Sequence, residues 1–358
     1  MRVLHVYKDL FPPRTGGVER YIHDLCIFLR ERGHDARVLI ASSGFSLRSR
    51  SEQRDGIPVT VAPSFGRILS NPVLTGFAAA LRRERCDIIH FHHPLPAAAL
   101  GWALARPSAP FVVTYHSDIV RQAALVPLIA PLLWRFLRSA SAVLATSPVY
   151  AETSPFLSRL GNVRVLPPGV DRRVFSPGPS SSSGYFLFVG RFRSYKGLPV
   201  LIRAWRGLSG LRLVLVGGGP MEKGLRRLAA ELSVEADFAG EVDDADLVDL
   251  YRGARAFVLP SVARSEAYGL AQLEAMACGV PVVSTLLPSG VPWVNRDGET
   301  GLLVEPGDQE GLSSAVRSLC DDALRERLSR GALARAAELD ASRHFTDVEQ
   351  AYAGIIGR

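Results

Sequence analysis

Apolar and polar positions alternate along this chain in blocks, and the blocks repeat the same plan twice. Short runs rich in β-branched and aromatic residues, "RVLHVY", "ARVLIA", "CDIIHFH", "APFVVTYH", "SAVLATS" and "VRVLPPG", are separated by amphipathic segments up to residue 175. Strands that alternate with helices imply a parallel, doubly wound sheet. Residues 176–184, "SPGPSSSSG", hold no apolar side chain and read as a linker. The alternation then resumes with "YFLFVG", "LRLVLVG", "VEADFAG", "ARAFVLPS", "VPVVST" and "TGLLVEPGD". The pattern predicts an α/β protein of two Rossmann-like domains, residues 1–175 and 185–340, facing one another across a cleft, with residues 341–358 as a terminal helix.

Length and composition agree with two cores, since 358 residues that are 47% hydrophobic exceed what one domain needs. Four cysteines without paired spacing suggest neither a disulfide framework nor a zinc site. Lys8 and Asp9 arrive too early for a secretory apolar region, and no run is long enough to span a bilayer, so a reducing cytoplasm is expected. Charge separates the halves. Residues 1–175 carry 22 Lys+Arg against 12 Asp+Glu, a net of +10, while residues 176–358 carry 20 against 23, a net of −3. A basic first half suits a phosphorylated substrate or anionic lipid, with scattered surface arginine as the competing reading. The segment "LVPLIAPLLWRFLRSA" sets Trp134, Phe136 and Leu137 beside Arg135 and Arg138. That mixture suits a helix lying in the headgroup region at the inner face of the cytoplasmic membrane, or equally a core-facing helix on a basic domain.

Ligands of doubly wound sheets bind beyond the carboxyl ends of the strands, so the loops there hold the candidates. Gly16 and Gly17 open a helix that Gly33 closes, and they allow a ligand to approach the backbone. His116, followed by Asp118, ends a strand of the first half. In the second half Arg191 follows a strand and Lys196 precedes a helix, two cations suited to a diphosphate. The glycines of "VGGGPMEKG" fail the G-x-G-x-x-G spacing because Pro220 and Glu222 fall at the wrong places, which argues against a dinucleotide cofactor. "SEAYGLAQLEAMACGVPVVS" puts Glu266 in a loop and Glu274 about two turns into the next helix. His90, His92 and His93 in "HFHH" suggest a metal, but consecutive strand residues face opposite ways, and no metal is expected.

Taken in order, "GGVER", "RVLPPGVDRRVF", "VGRFRSYKG", "FAGEVDDADLVDLYRGARAFVLPS", "SEAYGLAQLEAMACGVPVVS" and "GETGLLVEPGD" resemble the retaining glycosyltransferases of family 4, which have the GT-B fold. The resemblance covers essentially the whole chain. It implies that Glu266 faces the transferred sugar and that Glu274 holds the ribose hydroxyls of a nucleotide sugar. The amides of Ala267, Tyr268, Gly269 and Leu270 would face its phosphates, and Arg191 and Lys196 would stabilise the leaving diphosphate without a metal or cofactor. His116 would contact the sugar. The base would lie near Glu241 and Val242. "TYHSDIVRQ" and "GVPWVNRDGETG" resemble a bacterial branch using GDP-mannose or GDP-rhamnose for polysaccharide assembly, with a glycan or lipid-linked acceptor and no nucleic acid partner. A UDP-sugar enzyme, and a non-catalytic module binding nucleotide sugar or lipid, are the alternatives.

Overall fold

The structure is a computed structural model that describes residues 1–12, 16–68, 71–73, 75–119, 126–178 and 184–357. Most of the linker expected at residues 176–184 lies outside the described residues. Contacts divide the chain into two compact units, Met1–Leu166 with Phe345–Arg358, and Pro167–His344. The division falls ahead of residue 175. Phe175 packs edge-on against Tyr251, and the Tyr268 hydroxyl donates to the Pro168 carbonyl at 2.7 Å, so this stretch clusters with the second unit.

Among the described residues the first unit carries an eight-stranded sheet. Its strands are β1 (Arg2–Val6), β2 (Asp35–Ala41), β3 (Arg50–Arg54), β4 (Ile57–Ala62), β5 (Ile88–His93), β6 (Phe111–Tyr115), β7 (Ala142–Ala145) and β8 (Val163–Val165). The spatial order is β8-β7-β6-β5-β1-β2-β4-β3, and every neighbouring pair is parallel except β3 with β4. The β3–β4 hairpin is absent from the sequence-based strand set: "RSEQR" contains no apolar residue, and the apolar run "IPVTVA" is interrupted by Pro58. Its turn is nevertheless written in the chain: Asp55 and Gly56 both have positive φ, 48° and 75°, the Asp-Gly pairing that tight hairpins favour.

The second unit holds β9 (Tyr185–Val189), β10 (Leu213–Val216), β11 (Ala236–Gly240), β12 (Ala254–Leu259), β13 (Val282–Thr285) and β14 (Gly301–Val304), in the order β11-β10-β9-β12-β13-β14 and all parallel. All six strands match the runs seen in the sequence. The period of two sends alternate side chains to two separate cores. Leu187, Val214, Leu259 and Val282 join Leu273 and Met276 in one. Phe186, Phe188, Leu213, Leu215 and Val283 join Leu201, Leu225 and Val316 in the other. The inner strands, buried on both faces, read as continuous apolar runs, whereas the edge strand β11 alternates half-buried and exposed residues.

Candidate active site

In the second unit the strand order reverses direction between β9 and β12, and the loops leaving these two strands meet. Gly197, which precedes helix α1 (Leu198–Trp205), has a φ of 71°, and a Cβ there would stand 1.8 Å from the Pro260 carbonyl oxygen. Only glycine permits this approach. The Val262 amide donates to the Tyr195 carbonyl at 2.8 Å and ties the two loops together. Lys196 and Glu266 face each other across that junction, with Nζ 2.7 Å from Oε2. Ser261 Oγ donates to the same carboxylate oxygen at 3.1 Å, and Thr285 Oγ1 fixes the Ser261 carbonyl at 2.6 Å. Burial opposes the lysine's charge most, but the attraction and hydrogen bond of Glu266 together with the nearby Tyr195 and Glu274 outweigh it and raise the Lys196 pKa, so the ammonium persists at neutral pH.

Glu274 sits on α2 (Leu270–Ala277), where Tyr251 donates its phenol to Oε2 at 2.7 Å. Burial first, and then the carboxylate itself, push the Tyr251 pKa far up, so the phenol stays a donor. The helix starts later than the residue pattern suggests. Gly269 takes the left-handed conformation, φ 76° and ψ 62°, just before it, which puts Glu274 one turn in rather than two. Gly279, at φ 81°, ends the helix, and the Val280 amide reaches back to the Ala275 carbonyl at 2.9 Å. Ala267 and Tyr268 are buried beneath the loop. Replacing Gly269 by alanine forces a left-handed residue and brings Cβ within 2.7 Å of Leu259. Gly269→Ala should therefore cost about 1–2 kcal/mol of stability, read as a lower midpoint in thermal or urea denaturation.

Arg191 is exposed at the rim. The Gly190 amide donates to the Val216 carbonyl and the Gly217 amide to the Gly240 carbonyl, at 3.0 and 2.7 Å, so the loops after β9, β10 and β11 lie side by side. The exposed Glu241 carboxylate thereby comes beside Gly218, and Val242 packs on the apolar core. The second unit thus brings Lys196, Glu266 and Glu274 together, with Arg191 and Glu241 exposed on the adjoining loops. Tyr251 and Ser261, which bond to the half-buried Glu274 and the buried Glu266 carboxylates, escape a search for charged residues, although Ser261 stands two residues beyond the apolar run of β12.

In the first unit, helix α3 (Gly17–Glu31) begins where the glycine pair predicts. Gly16 is extended, φ −168° and ψ 147°, a shape any residue adopts, so turn geometry does not demand glycine there. His116 follows β6, and its amide donates to the His93 carbonyl at 3.0 Å. Asp118 is structural, accepting from Tyr115 at 2.8 Å and Ser154 at 2.7 Å.

In "HFHH" the alternation of a strand does not part all three histidines. Alternation separates His93, which stacks on Tyr115, but His90 and His92 are two residues apart and share a face. Strand pairing sets His5 of β1 opposite His90, and one nitrogen from each of His5, His90 and His92 lies within 4.8 Å of the others. These nitrogens bond among themselves and to neighbours: His5 Nδ1 with His92 Nε2 at 3.1 Å, and His90 with Thr114 at 2.7 Å and with the Tyr352 hydroxyl. For the segment around Trp134, left open between a headgroup helix and a core-facing one, the packing is largely core-facing. In helix α4 (Val126–Ser139), Phe136 and Leu137 are buried, Trp134 packs on Phe156 with Arg138 over its ring, and Leu128 is the large apolar side chain left exposed. Two of the three apolar residues thought to enter a headgroup layer are core residues. No helix among the described residues is long and apolar enough to cross a membrane.

Comparison with known proteins gives the arrangement its context. The family described as Glycosyltransferase Family 4 matches residues 15–174, and that described as Glycosyl transferases group 1 matches residues 171–335. The D-rhamnosyltransferase WbpZ of Pseudomonas aeruginosa is 35% identical over 95% of this chain and 92% of its own length. The chain belongs to glycosyltransferase family 4. The O-antigen chain mannosyltransferase C of Escherichia coli is also 35% identical, over 89% of this chain and 88% of its own. Among solved structures, sucrose-phosphate synthase of Thermosynechococcus elongatus superposes with a TM-score of 0.84 at 23% identity, covering 99% of both chains. Anabaena HepE, solved with UDP and glucose, gives 0.79 at 21% identity over the same shares. These likenesses establish the GT-B fold. As a family 4 retaining enzyme, the protein transfers sugar from a nucleotide sugar.

Proposed function

We propose that the protein transfers mannose or a closely related hexose such as rhamnose from a GDP-sugar to a glycan or lipid-linked acceptor during polysaccharide assembly. The observation that carries this reading is the level of identity, 35% in each case over most of the chain, to a D-rhamnosyltransferase and an O-antigen mannosyltransferase. Cleavage of the sugar–phosphate bond builds negative charge on the departing diphosphate and positive charge at the anomeric carbon. Lys196 has three N–H donors, so it can keep Glu266 and still reach a phosphate oxygen. Arg191 and the amides opening the helix of Glu274 add to that stabilisation. Glu266 takes the sugar, Glu274 the ribose hydroxyls, Gly16 and Gly17 the close backbone approach, and Glu241 with Val242 the base. The acceptor hydroxyl attacks on the face the diphosphate leaves, and the leaving phosphate receives its proton.

A transfer and donor-hydrolysis assay with GDP-mannose, GDP-rhamnose and UDP-glucose tests the assignment. Turnover is expected with a GDP-sugar, and turnover restricted to UDP-glucose refutes the donor. Activity should survive EDTA, because side-chain cations and helix amides occupy the role a metal would fill. Loss in EDTA with rescue by magnesium would overturn that expectation.

A further inference from the structure

The buried histidines of the first unit form a chain that ends at His116. His5 Nδ1 bonds to His92 Nε2 and His92 Nδ1 bonds to His116 Nε2, both at 3.1 Å. Three strands supply the rings: β1, β5 and the end of β6. Tyr21 packs edge-on against His92 and His116, with centroids 6.0 and 5.3 Å away. Burial lowers the His5 pKa to about 3, and burial together with the neighbouring imidazoles takes His92 well below its usual value. Each of these two rings is therefore neutral and carries one N–H.

A line of neutral imidazoles has a direction. If His5 donates from Nδ1, His92 must accept at Nε2 and donate from Nδ1, and a neutral His116 then carries its proton on Nδ1. In the reverse direction every ring is protonated at Nε2, and His5 ends the line with an N–H. His5 Nε2 is buried and has no hydrogen-bond partner. Buried donors left without an acceptor are rarer than buried acceptors left without a donor, so the bare lone pair belongs at His5 and the line points outward.

We propose that His5 and His92 are positioning residues that hold His116 as its Nδ1–H tautomer, so that it offers the sugar a hydrogen-bond donor and not a base. The proposal rests on the reading in which His116 meets the transferred sugar. It agrees with chemistry in which the leaving phosphate takes the acceptor's proton, because His116 then has no proton to remove.

The test is long-range proton–nitrogen NMR of the full chain labelled with ¹⁵N-histidine, which reports which ring nitrogen bears hydrogen. His5, His92 and His116 should all be protonated at Nδ1 in the wild type. His92→Phe should return His116 to the Nε2–H form and lower kcat about tenfold, the worth of one hydrogen bond, with little change in KM for the nucleotide sugar. His92→Asn, whose amide nitrogen can stand where Nδ1 stands, should keep the His116 tautomer and most of kcat. A wild-type His116 protonated at Nε2 overturns the proposal, and this holds even if His92→Phe fails to fold. Equal losses in the Asn and Phe variants overturn it as well, leaving His92 a packing role. An Nδ1–H His116 in a chain that turns over no nucleotide sugar keeps the relay and removes instead the transferase reading of His116.

Discussion

Lys196→Ala lowers kcat by about 10²–10³-fold while leaving KM for the nucleotide sugar nearly unchanged, because the leaving-group charge it meets grows in the transition state. The same substitution strips Glu266 of its 2.7 Å partner in a site where the carboxylate is only 7% exposed. Breaking a buried ion pair from one side costs about 3–5 kcal/mol, which corresponds to a fall in Tm of roughly 10 °C for a domain of this size. The two effects separate in a double variant. Lys196→Met with Glu266→Gln removes both charges, so stability should recover toward the wild type while activity does not. Steady-state kinetics beside calorimetry decide the matter. A loss confined to KM, or a double variant as unstable as Lys196→Ala, contradicts the account of the pair.

Glu274→Gln weakens nucleoside diphosphate binding by roughly 10–100-fold, the range for losing hydrogen bonds to a charged acceptor, with a much smaller change in kcat. Glu274 is expected to take two adjacent ribose hydroxyls, and only an ionised carboxylate is acceptor on both oxygens. The Tyr251 phenol holds Oε2, so Tyr251→Phe should give a smaller loss of the same kind, about fivefold, by releasing the carboxylate's orientation. Titration calorimetry with the free nucleoside diphosphate measures both. An unchanged Kd for Glu274→Gln would take the ribose role away from this residue.

The charged members of the candidate site could be picked out because their chemistry shows in the residue type and their position follows from strand–loop–helix order. Arg191 after β9, Lys196 before its helix and Glu266 after β12 all follow this rule. The order of the strands in space was not legible, and it brings Lys196 to Glu266: Arg191 and Lys196 read from sequence as a pair of cations for one diphosphate, whereas the fold commits Lys196 to a carboxylate seventy residues further along. Tyr251 and Ser261 were missed because phenols and hydroxyls are common on any surface and matter here only through the oxygen they face.

The histidines mark the same boundary in the first unit. The period of two in a strand is enough to put His90 and His92 on one face and His93 on the other. No local pattern pairs His5 with His90, since that depends on the register between β1 and β5, or continues the line to His116, which depends on β6 lying beside β5. In α4, likewise, the sequence showed an amphipathic segment but not which neighbour its apolar face would meet. By itself the sequence determined the element types, the doubly wound plan, the six strands of the second unit and where its candidate ionisable residues stand relative to strand and helix ends, since these depend on periodicity and on chemistry carried within short windows. The tertiary structure alone decided register, strand neighbours and which charges are compensated, because those are set by contacts between segments far apart in the chain, whose burial changes the cost of every polar group they enclose.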